Sequence, residues 1–157
     1  TQIRDQGRAT SGEYVHSIIG SNFRITDLQS TLGIQQLNKI DSFLTTRNKI
    51  ALEYKKNIKA LKFQQIPHYV NNHSYMMFFA FTENSEMRDK YLNTLRSNGI
   101  DARLSWLPLH KQPVNSVFHN CLFPNSEKIY ANSLTLPIYN SMTDDELKFV
   151  IETCQNV

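Results

Sequence analysis

A chain of 157 residues is long enough to bury one substantial hydrophobic core but too short for two full domains. Its 40% hydrophobic and 20% charged residues are ordinary for globular proteins, and no apolar run approaches the ~18 residues that a membrane helix needs. The net charge of +3 favours an anionic ligand mildly and is too small to indicate nucleic acid. We therefore expect a soluble protein with neither a membrane nor a nucleic-acid partner.

The cysteines and the first residues predict where the chain works and how it begins. Cys121 and Cys154 form no C-x-x-C pair and are too few for a disulfide scaffold, which is typical of the reducing cytoplasm. The start, Thr1 to Gln6, has neither an initiator Met nor a basic-then-apolar signal pattern. We expect a cytoplasmic protein whose chain continues upstream of Thr1.

The first predicted helix begins at Asp27. Thr26, followed three residues later by Gln29, is a capping-box pattern, and apolar residues then recur at mixed three, four and longer steps as far as Leu61. The pattern predicts one long helix, or two nearly collinear ones, over residues 26–61.

Two features inside this helical pattern carry further expectations. Asp41-Ser42 and Thr45-Thr46 are poor helix-interior residues, so a bend is expected near them. Gly33 costs roughly 1 kcal/mol relative to Ala within a helix, which predicts that another backbone approaches closely at that point.

Beyond Lys62 the chain alternates between strand-like and helix-like segments, which predicts an α/β (α+β) unit with a small, mostly antiparallel sheet packed with helices. The final helix begins at a second capping box, Thr143 to Glu146. The predicted order is a strand over 74–82, a helix over 86–98 closed by Gly99, a strand over 100–104, a proline-rich loop over 106–124, a short helix after Asn125-Ser126, a strand over 134–138 that Pro137 limits to an edge or to its own end, and the final helix.

Common catalytic and metal motifs are absent from the sequence: it contains no G-x-G-x-x-G, P-loop, G-x-S-x-G or H-E-x-x-H. His68 and His73 are the closest histidine pair, but their spacing fits neither a helical face nor a zinc finger. No metal site is predicted. Several lysines between Lys49 and Lys62 form a basic stripe, for which a solvated helix face is the preferred interpretation over phosphate binding.

The stretch from Gly20 to Gln29 brings an amide, a guanidinium and a helix start together. Asn22 can donate two hydrogen bonds without a charge, and Arg24 can grip a carboxylate or phosphate in bidentate fashion. The helix beginning after Thr26 adds the positive end of its dipole. The residue types leave two interpretations equally open: an anion site, or a turn at Asn22 with Arg24 paired to an acid such as Asp27.

Several segments agree in order and spacing with one protein family. Arg4–Arg8 read RDQGR, and Gly20–Gly33 follow the pattern G-x-N-x-R-M-x-D-L-Q-A-A-L-G, with Ile25 in place of Met and Ser30-Thr31 in place of the Ala pair. Together they resemble the DegT-type family of sugar aminotransferases that depend on pyridoxal 5'-phosphate (PLP). The later segments that agree are Arg47, His73–Tyr75, Gly99–Pro113 and Leu134–Thr143.

The resemblance implies the C-terminal part of a fold-type I aminotransferase. Such an enzyme moves an amino group, usually from glutamate, onto a nucleotide-linked keto sugar, in polysaccharide, glycan or antibiotic sugar biosynthesis. The resemblance also implies a homodimer whose active site is shared across the interface. By this resemblance, residues 1–25 would end the large cofactor domain, residues 26–61 would be the interdomain helix, and residues 62–157 the small domain.

The same resemblance assigns roles to particular residues. Asn22 would reach the PLP phosphate of the neighbouring subunit, and Arg24 would lie on the substrate side of that pocket. Trp106 and His110 fall in a loop that approaches the substrate, although a packing role for Trp106 is equally open. The Schiff-base lysine of the family precedes the RDxGR segment, and no lysine here has its context, so it is expected upstream of Thr1.

Other functions remain open at this stage. A residue other than lysine at the Schiff-base position would indicate a PLP-dependent sugar dehydratase of the same family. A catalytically inert interaction or regulatory module would keep the fold alone. Nucleic-acid binding through the lysine stripe would require an affinity that falls steeply with salt.

Overall fold

The computed structural model describes residues 2–10, 14–70 and 73–157, and the chain forms two compact units, Thr1–Asp41 and Ser42–Val157. No helix in these described ranges is long and apolar enough to cross a membrane. The helices are α1 (Asp27–Leu37), α2 (Ile40–Asn57), α3 (Ser85–Ser97), α4 (Pro124–Asn132) and α5 (Asp144–Gln155), with 3-10 turns at Leu109–Lys111 and Pro113–Phe118; the strands are β1 (Lys62–Phe63), β2 (Phe78–Phe81), β3 (Arg103–Leu104) and β4 (Ser133–Leu136).

Helix α1 begins where its capping box predicted. The backbone N–H of Gln29 donates to Thr26 Oγ1 at 3.3 Å, and the backbone N–H of Thr26 donates to Gln29 Oε1 at 3.0 Å. The helical pattern breaks at Asn38-Lys39, where the N–H of Lys39 bonds Gln36 O at 3.1 Å, three residues back instead of four. The bend expected at residues 41–46 is therefore wrong by a few positions, since those polar residues lie inside α2.

The surface of α1 is open. None of its residues is buried, and Leu28, Leu32 and Leu37 are 82%, 61% and 68% exposed. A Cβ added at Gly33 would meet no atom within 4 Å. The close backbone predicted at Gly33 is thus not found among the described residues.

The sheet of the second unit has the strand order β1-β2-β4-β3, and every neighbouring pair is antiparallel. This confirms the predicted small antiparallel sheet packed with helices. Strand β4 lies inside the sheet because it pairs with β2 on one side and β3 on the other. It ends at Leu136, one residue before Pro137, as the missing N–H of proline predicted.

Strand β2 is shorter than the predicted 74–82 because the backbone before it is held by α2. Tyr75 adopts a φ of +41°, which breaks an extended conformation. Arg47 Nη1 donates to Tyr75 O at 2.9 Å, and Asn48 Nδ2 donates to His73 O at 3.0 Å. These carbonyls bond helix side chains instead of a neighbouring strand.

Aromatic rings form the centre of the core. Phe78 is fully buried, and its ring centroid lies 5.3 Å from Tyr54, 5.2 Å from Phe63 and 5.6 Å from Tyr75. Burial raises the pKa of Tyr54, whose hydroxyl donates to Pro137 O at 2.8 Å. Helix α2 is thereby tied to the end of β4.

The outer helices follow their sequence signals. Helix α3 ends at Ser97 and is closed by Gly99 with a φ of +76°, as predicted. Helix α5 begins at Asp144 behind the second capping box, in which Thr143 N–H donates to Glu146 Oε2 at 2.7 Å. These bonds lower the pKa of the Glu146 carboxyl.

Candidate functional site

A folded loop precedes α1 and carries the candidate anion site. Isolated antiparallel bridges join Asp5 to Asn22 and Arg8 to His16. The N–H of Gln6 bonds Ser21 O at 3.1 Å, within the same pairing. The RDQGR and GSNFR segments therefore lie side by side, a contact that the spacing along the chain does not reveal.

Gly7 and Gly20 allow the RDQGR and GSNFR segments to approach each other closely. Gly7 has a φ of +82°, and a Cβ there would lie 1.8 Å from Ile18 O. A Cβ on Gly20 would lie 2.3 Å from Gly7 N. Only glycine fits both positions, because any side chain would overlap backbone atoms.

Asn22 forms a turn with one end of its amide and leaves the other end available. Its Oδ1 accepts from Arg24 N at 3.3 Å and from Arg24 Nε at 3.5 Å. The side chain is exposed, and within the described ranges no acceptor bonds its Nδ2. The two Nδ2 hydrogens are consequently free to meet an anion next to Arg24.

Arg24 lies beside an acid that sequence reasoning missed. Its Nε is 3.5 Å from Asp5 Oδ1, and the two side chains are 54% and 20% exposed. Asp5 Oδ1 is buried without a hydrogen bond, so the contact is electrostatic only. The turn and the acid pair anticipated for this stretch are thus both present, but the acid is Asp5 and not Asp27. No spacing rule along the chain points to Asp5, because it lies far from Arg24 in sequence and reaches it only where Gly7 packs closely against Gly20.

Trp106 lies in the second unit and separates two recesses. It is 68% exposed. On one side is the Arg103 cleft, a recess of about 590 Å³ lined in part by Met76, Asp101, Arg103, Trp106 and Tyr139. On the other side is a recess of about 540 Å³ with mainly apolar walls, among them Phe79, Ile129 and Tyr130.

His110 is packed more tightly than Trp106. It is 7% exposed, its Nε2 lies 2.8 Å from Glu127 Oε1, and its ring centroid lies 4.8 Å from that of Phe123. The hydrogen bond with His110 lowers the pKa of the Glu127 carboxyl, and the nearby Lys111 ammonium acts in the same direction. His110 also lines a recess of about 460 Å³ next to Phe118.

The structure therefore groups the predicted site residues in two places. Asn22 and Arg24 lie together with Asp5 in the first unit, whereas Trp106 and His110 line separate recesses of the second. Over residues 2–10, 14–70 and 73–157, no group of three His, Cys, Asp or Glu side chains is placed to hold a metal ion.

Comparison with known proteins identifies the family. The DegT/DnrJ/EryC1/StrS aminotransferase family matches residues 1–155 of the chain. The chain belongs to this family. It is 29% identical over 151 residues to GDP-perosamine synthase of Escherichia coli O157:H7, a match that covers 96% of this chain and 41% of that protein.

A second curated relative is named for polysaccharide biosynthesis. It is 25% identical over 165 residues to the spore coat polysaccharide biosynthesis protein SpsC of Bacillus subtilis (strain 168), covering 95% of this chain and 41% of SpsC. The chain thus spans about two fifths of the length of these curated relatives.

Solved structures agree with the family's fold. Helicobacter pylori PseC, an aminotransferase involved in the biosynthesis of pseudoaminic acid, superposes with a TM-score of 0.84 at 20% identity, over 99% of this chain and 44% of PseC. The aminotransferase TlmJ of Streptoalloteichus hindustanus gives 0.85 at 21% identity, over 99% and 42%. The fold-type I aminotransferase architecture expected from the sequence is confirmed.

Proposed function

We propose that this chain is part of a PLP-dependent aminotransferase that moves an amino group from glutamate onto a nucleotide-linked keto sugar, for polysaccharide, glycan or antibiotic sugar biosynthesis. The match to the aminotransferase family over residues 1–155 carries the proposal. The names of relatives such as GDP-perosamine synthase support a sugar substrate. The Schiff-base lysine would come from residues outside these 157.

The donors around Asn22 fit the phosphate of PLP. The Nδ2 hydrogens of Asn22 would offer uncharged N–H donors to the phosphate, and the half-exposed guanidinium of Arg24 beside Asn22 would serve the substrate side of the same pocket. Asp5 Oδ1 lies 3.5 Å from Arg24 Nε and would help to hold the guanidinium in place. PLP would supply the electron sink for the carbon that carries the amino group, while Asn22 would bind its phosphate and help to orient it.

The exposed apolar side chains beside the site support a second copy of the chain as their cover. Phe23, Ile25, Leu28 and Leu32 are 66%, 64%, 82% and 61% exposed. Covering such residues is worth about 25 cal/mol per Å² of apolar surface. We propose a homodimer in which Asn22 is presented to the cofactor of the neighbouring subunit.

On the substrate side, we propose different contributions for Trp106 and His110. Trp106 is exposed and can touch a substrate directly. His110 is held by Glu127 and Phe123, so it would contact substrate only with the ring edge that faces its recess.

The test is spectroscopic. The purified enzyme that contains this chain is expected to show the visible absorbance of lysine-bound PLP, and glutamate is expected to lower it. Absence of bound cofactor after PLP addition would refute the proposal. A cofactor that binds without a lysine bond would indicate the dehydratase instead.

Asn22→Ala in that enzyme is expected to weaken PLP binding by about 1–3 kcal/mol, because a buried charged phosphate would lose its amide donor. Equilibrium dialysis of the cofactor measures the change. Asn22→Asp is the matched comparison: it keeps Oδ1 for the turn with Arg24 and replaces the donor with a charge that repels phosphate. If Asn22→Asp bound PLP normally, the assigned contact would be wrong.

Arg24→Lys is expected to raise the KM for glutamate or for the sugar by about tenfold while PLP stays bound, since a point charge cannot reproduce the bidentate fork of arginine. Steady-state kinetics with each substrate varied in turn gives the two KM values. Unchanged KM values, or loss of PLP with intact KM values, would remove Arg24 from the substrate side.

A further inference from the structure

The Arg103 cleft combines a cation with exposed aromatic and thioether groups. Asp101 lies in the segment before β3, Arg103 is the first residue of β3, and Trp106 follows the strand. Met76 contributes from the segment before β2, and Tyr139 from the segment after β4. The volume of about 590 Å³ is ordinary for a small-ligand site.

Asp101 orients the guanidinium of Arg103 but leaves part of its hydrogen-bonding capacity available. Its Nε donates to Asp101 Oδ1 at 3.0 Å and its Nη2 donates to Asp101 Oδ2 at 2.6 Å. Within the described residues Nη1 has no acceptor. Both side chains are 69% exposed, so water screens the ion pair and an incoming phosphate can compete with Asp101.

The aromatic side of the cleft can hold a flat ring. Trp106 and Met76 are 68% and 66% exposed, and Tyr139 is 38% exposed. Stacking of a base on an aromatic side chain is worth about 1–3 kcal/mol and works for every base. A nucleotide could therefore place its base on the exposed indole and its phosphate on the exposed guanidinium of the same cleft.

Other recesses offer different chemistry. Among the residues that the structure describes, the lining of the recess beside Phe79 and Ile129 has no charged residue, and His110 is the one titratable residue in the lining of the recess beside Phe118. The groove between α2 and α5 has lysines, but acids accompany them, as in the 3.0 Å pair of Lys49 with Asp144, and none of its described lining residues is aromatic.

We propose that the Arg103 cleft binds the nucleoside diphosphate portion of the substrate, with the base against Trp106 and a phosphate on Arg103. This inference rests on the proposed function, because it places one part of the proposed nucleotide sugar. It assigns a role to Arg103 and makes Asp101 its competitor for the phosphate.

Tryptophan fluorescence of the purified enzyme that contains this chain makes the proposal measurable. Trp106 is the only tryptophan among these 157 residues, and the signal of a Trp106→Phe variant is subtracted to remove any tryptophan outside them, so the difference reports on the cleft without PLP or turnover. GDP, UDP and dTDP are titrated separately, together with guanosine and pyrophosphate. At least one nucleoside diphosphate is expected to quench saturably and to bind more tightly than guanosine or pyrophosphate.

Two variants of opposite expected effect sharpen the test. Arg103→Gln is expected to weaken binding about tenfold or more, whereas Asp101→Asn is expected to tighten it by removing the competing carboxylate. Lys148→Gln, which removes an equally exposed cation on α5, is expected to leave binding unchanged. Circular dichroism verifies that the variants are folded.

The proposal is overturned if none of the three diphosphates quenches saturably, if Arg103→Gln and Lys148→Gln behave alike, or if pyrophosphate binds as tightly as the nucleotides. Because the nucleotide titration is done without PLP, its result does not depend on the cofactor absorbance experiment. Nucleotide binding without PLP binding would refute only the aminotransferase, and the reverse result would refute only this cleft.

Discussion

Phe78→Ala is expected to lower the free energy of unfolding of the second unit by about 3–5 kcal/mol. Phe78 is fully buried, and its ring contacts those of Tyr54, Phe63 and Tyr75. Removing it would leave a cavity between α2 and the sheet that rigid rings cannot fill by small movements. The loss would also remove aromatic contacts that add to simple burial.

Urea unfolding followed by Trp106 fluorescence measures this loss, because Trp106 lies in the same unit. Phe149→Ala is the matched control, since Phe149 on α5 is 48% exposed and should lose much less. Similar losses for Phe78→Ala and Phe149→Ala would contradict the placement of the core.

Gly7→Ala is expected to displace the loop that carries Asn22 and to reduce PLP binding at least as much as Asn22→Ala. An L side chain at a φ of +82° costs about 1–3 kcal/mol by itself. The added Cβ would also lie 1.8 Å from Ile18 O, an overlap that only backbone movement can relieve. Because Gly7 packs against Gly20, the movement would reach the GSNFR segment.

Gly33→Ala provides the comparison for this prediction. It is the same chemical change, but the new Cβ meets nothing within 4 Å, and Ala favours a helix by about 1 kcal/mol. Amide chemical shifts measured by NMR should move across residues 2–10 and 16–24 in Gly7→Ala, and only around residue 33 in Gly33→Ala. A local pattern around residue 7 alone would show that the two segments are not packed together.

The parts of the fold that were predictable from sequence depend on neighbouring residues. Thr26 with Gln29, and Thr143 with Glu146, each satisfy a helix start through side chains three positions apart, and both boundaries were confirmed. Gly99 ends α3 for an equally local reason, since glycine readily adopts the positive φ that a helix end needs. The family resemblance then supplied the wider architecture.

What the sequence did not reveal depends on residues far apart in the chain. Tyr75 leaves the strand conformation because Arg47, 28 positions earlier, bonds its carbonyl. Arg24 lies beside Asp5 because two glycines let separate segments touch, whereas local spacing had favoured Asp27. Neither contact has a periodic signature, so propensity and spacing gave the wrong strand start and the wrong acid.

The central position of β4 has a consequence for how the chain folds during synthesis. Strands β2 and β3 are not neighbours in the sheet. They are joined through β4, which pairs Phe78 with Leu136 on one side and Arg103 with Thr135 on the other. Closing such distant pairs costs chain entropy and slows folding. A ribosome that has not yet released residues 133–136 therefore holds a nascent chain whose strands β2 and β3 lack their shared neighbour, and the second unit can complete its core only after those residues have emerged.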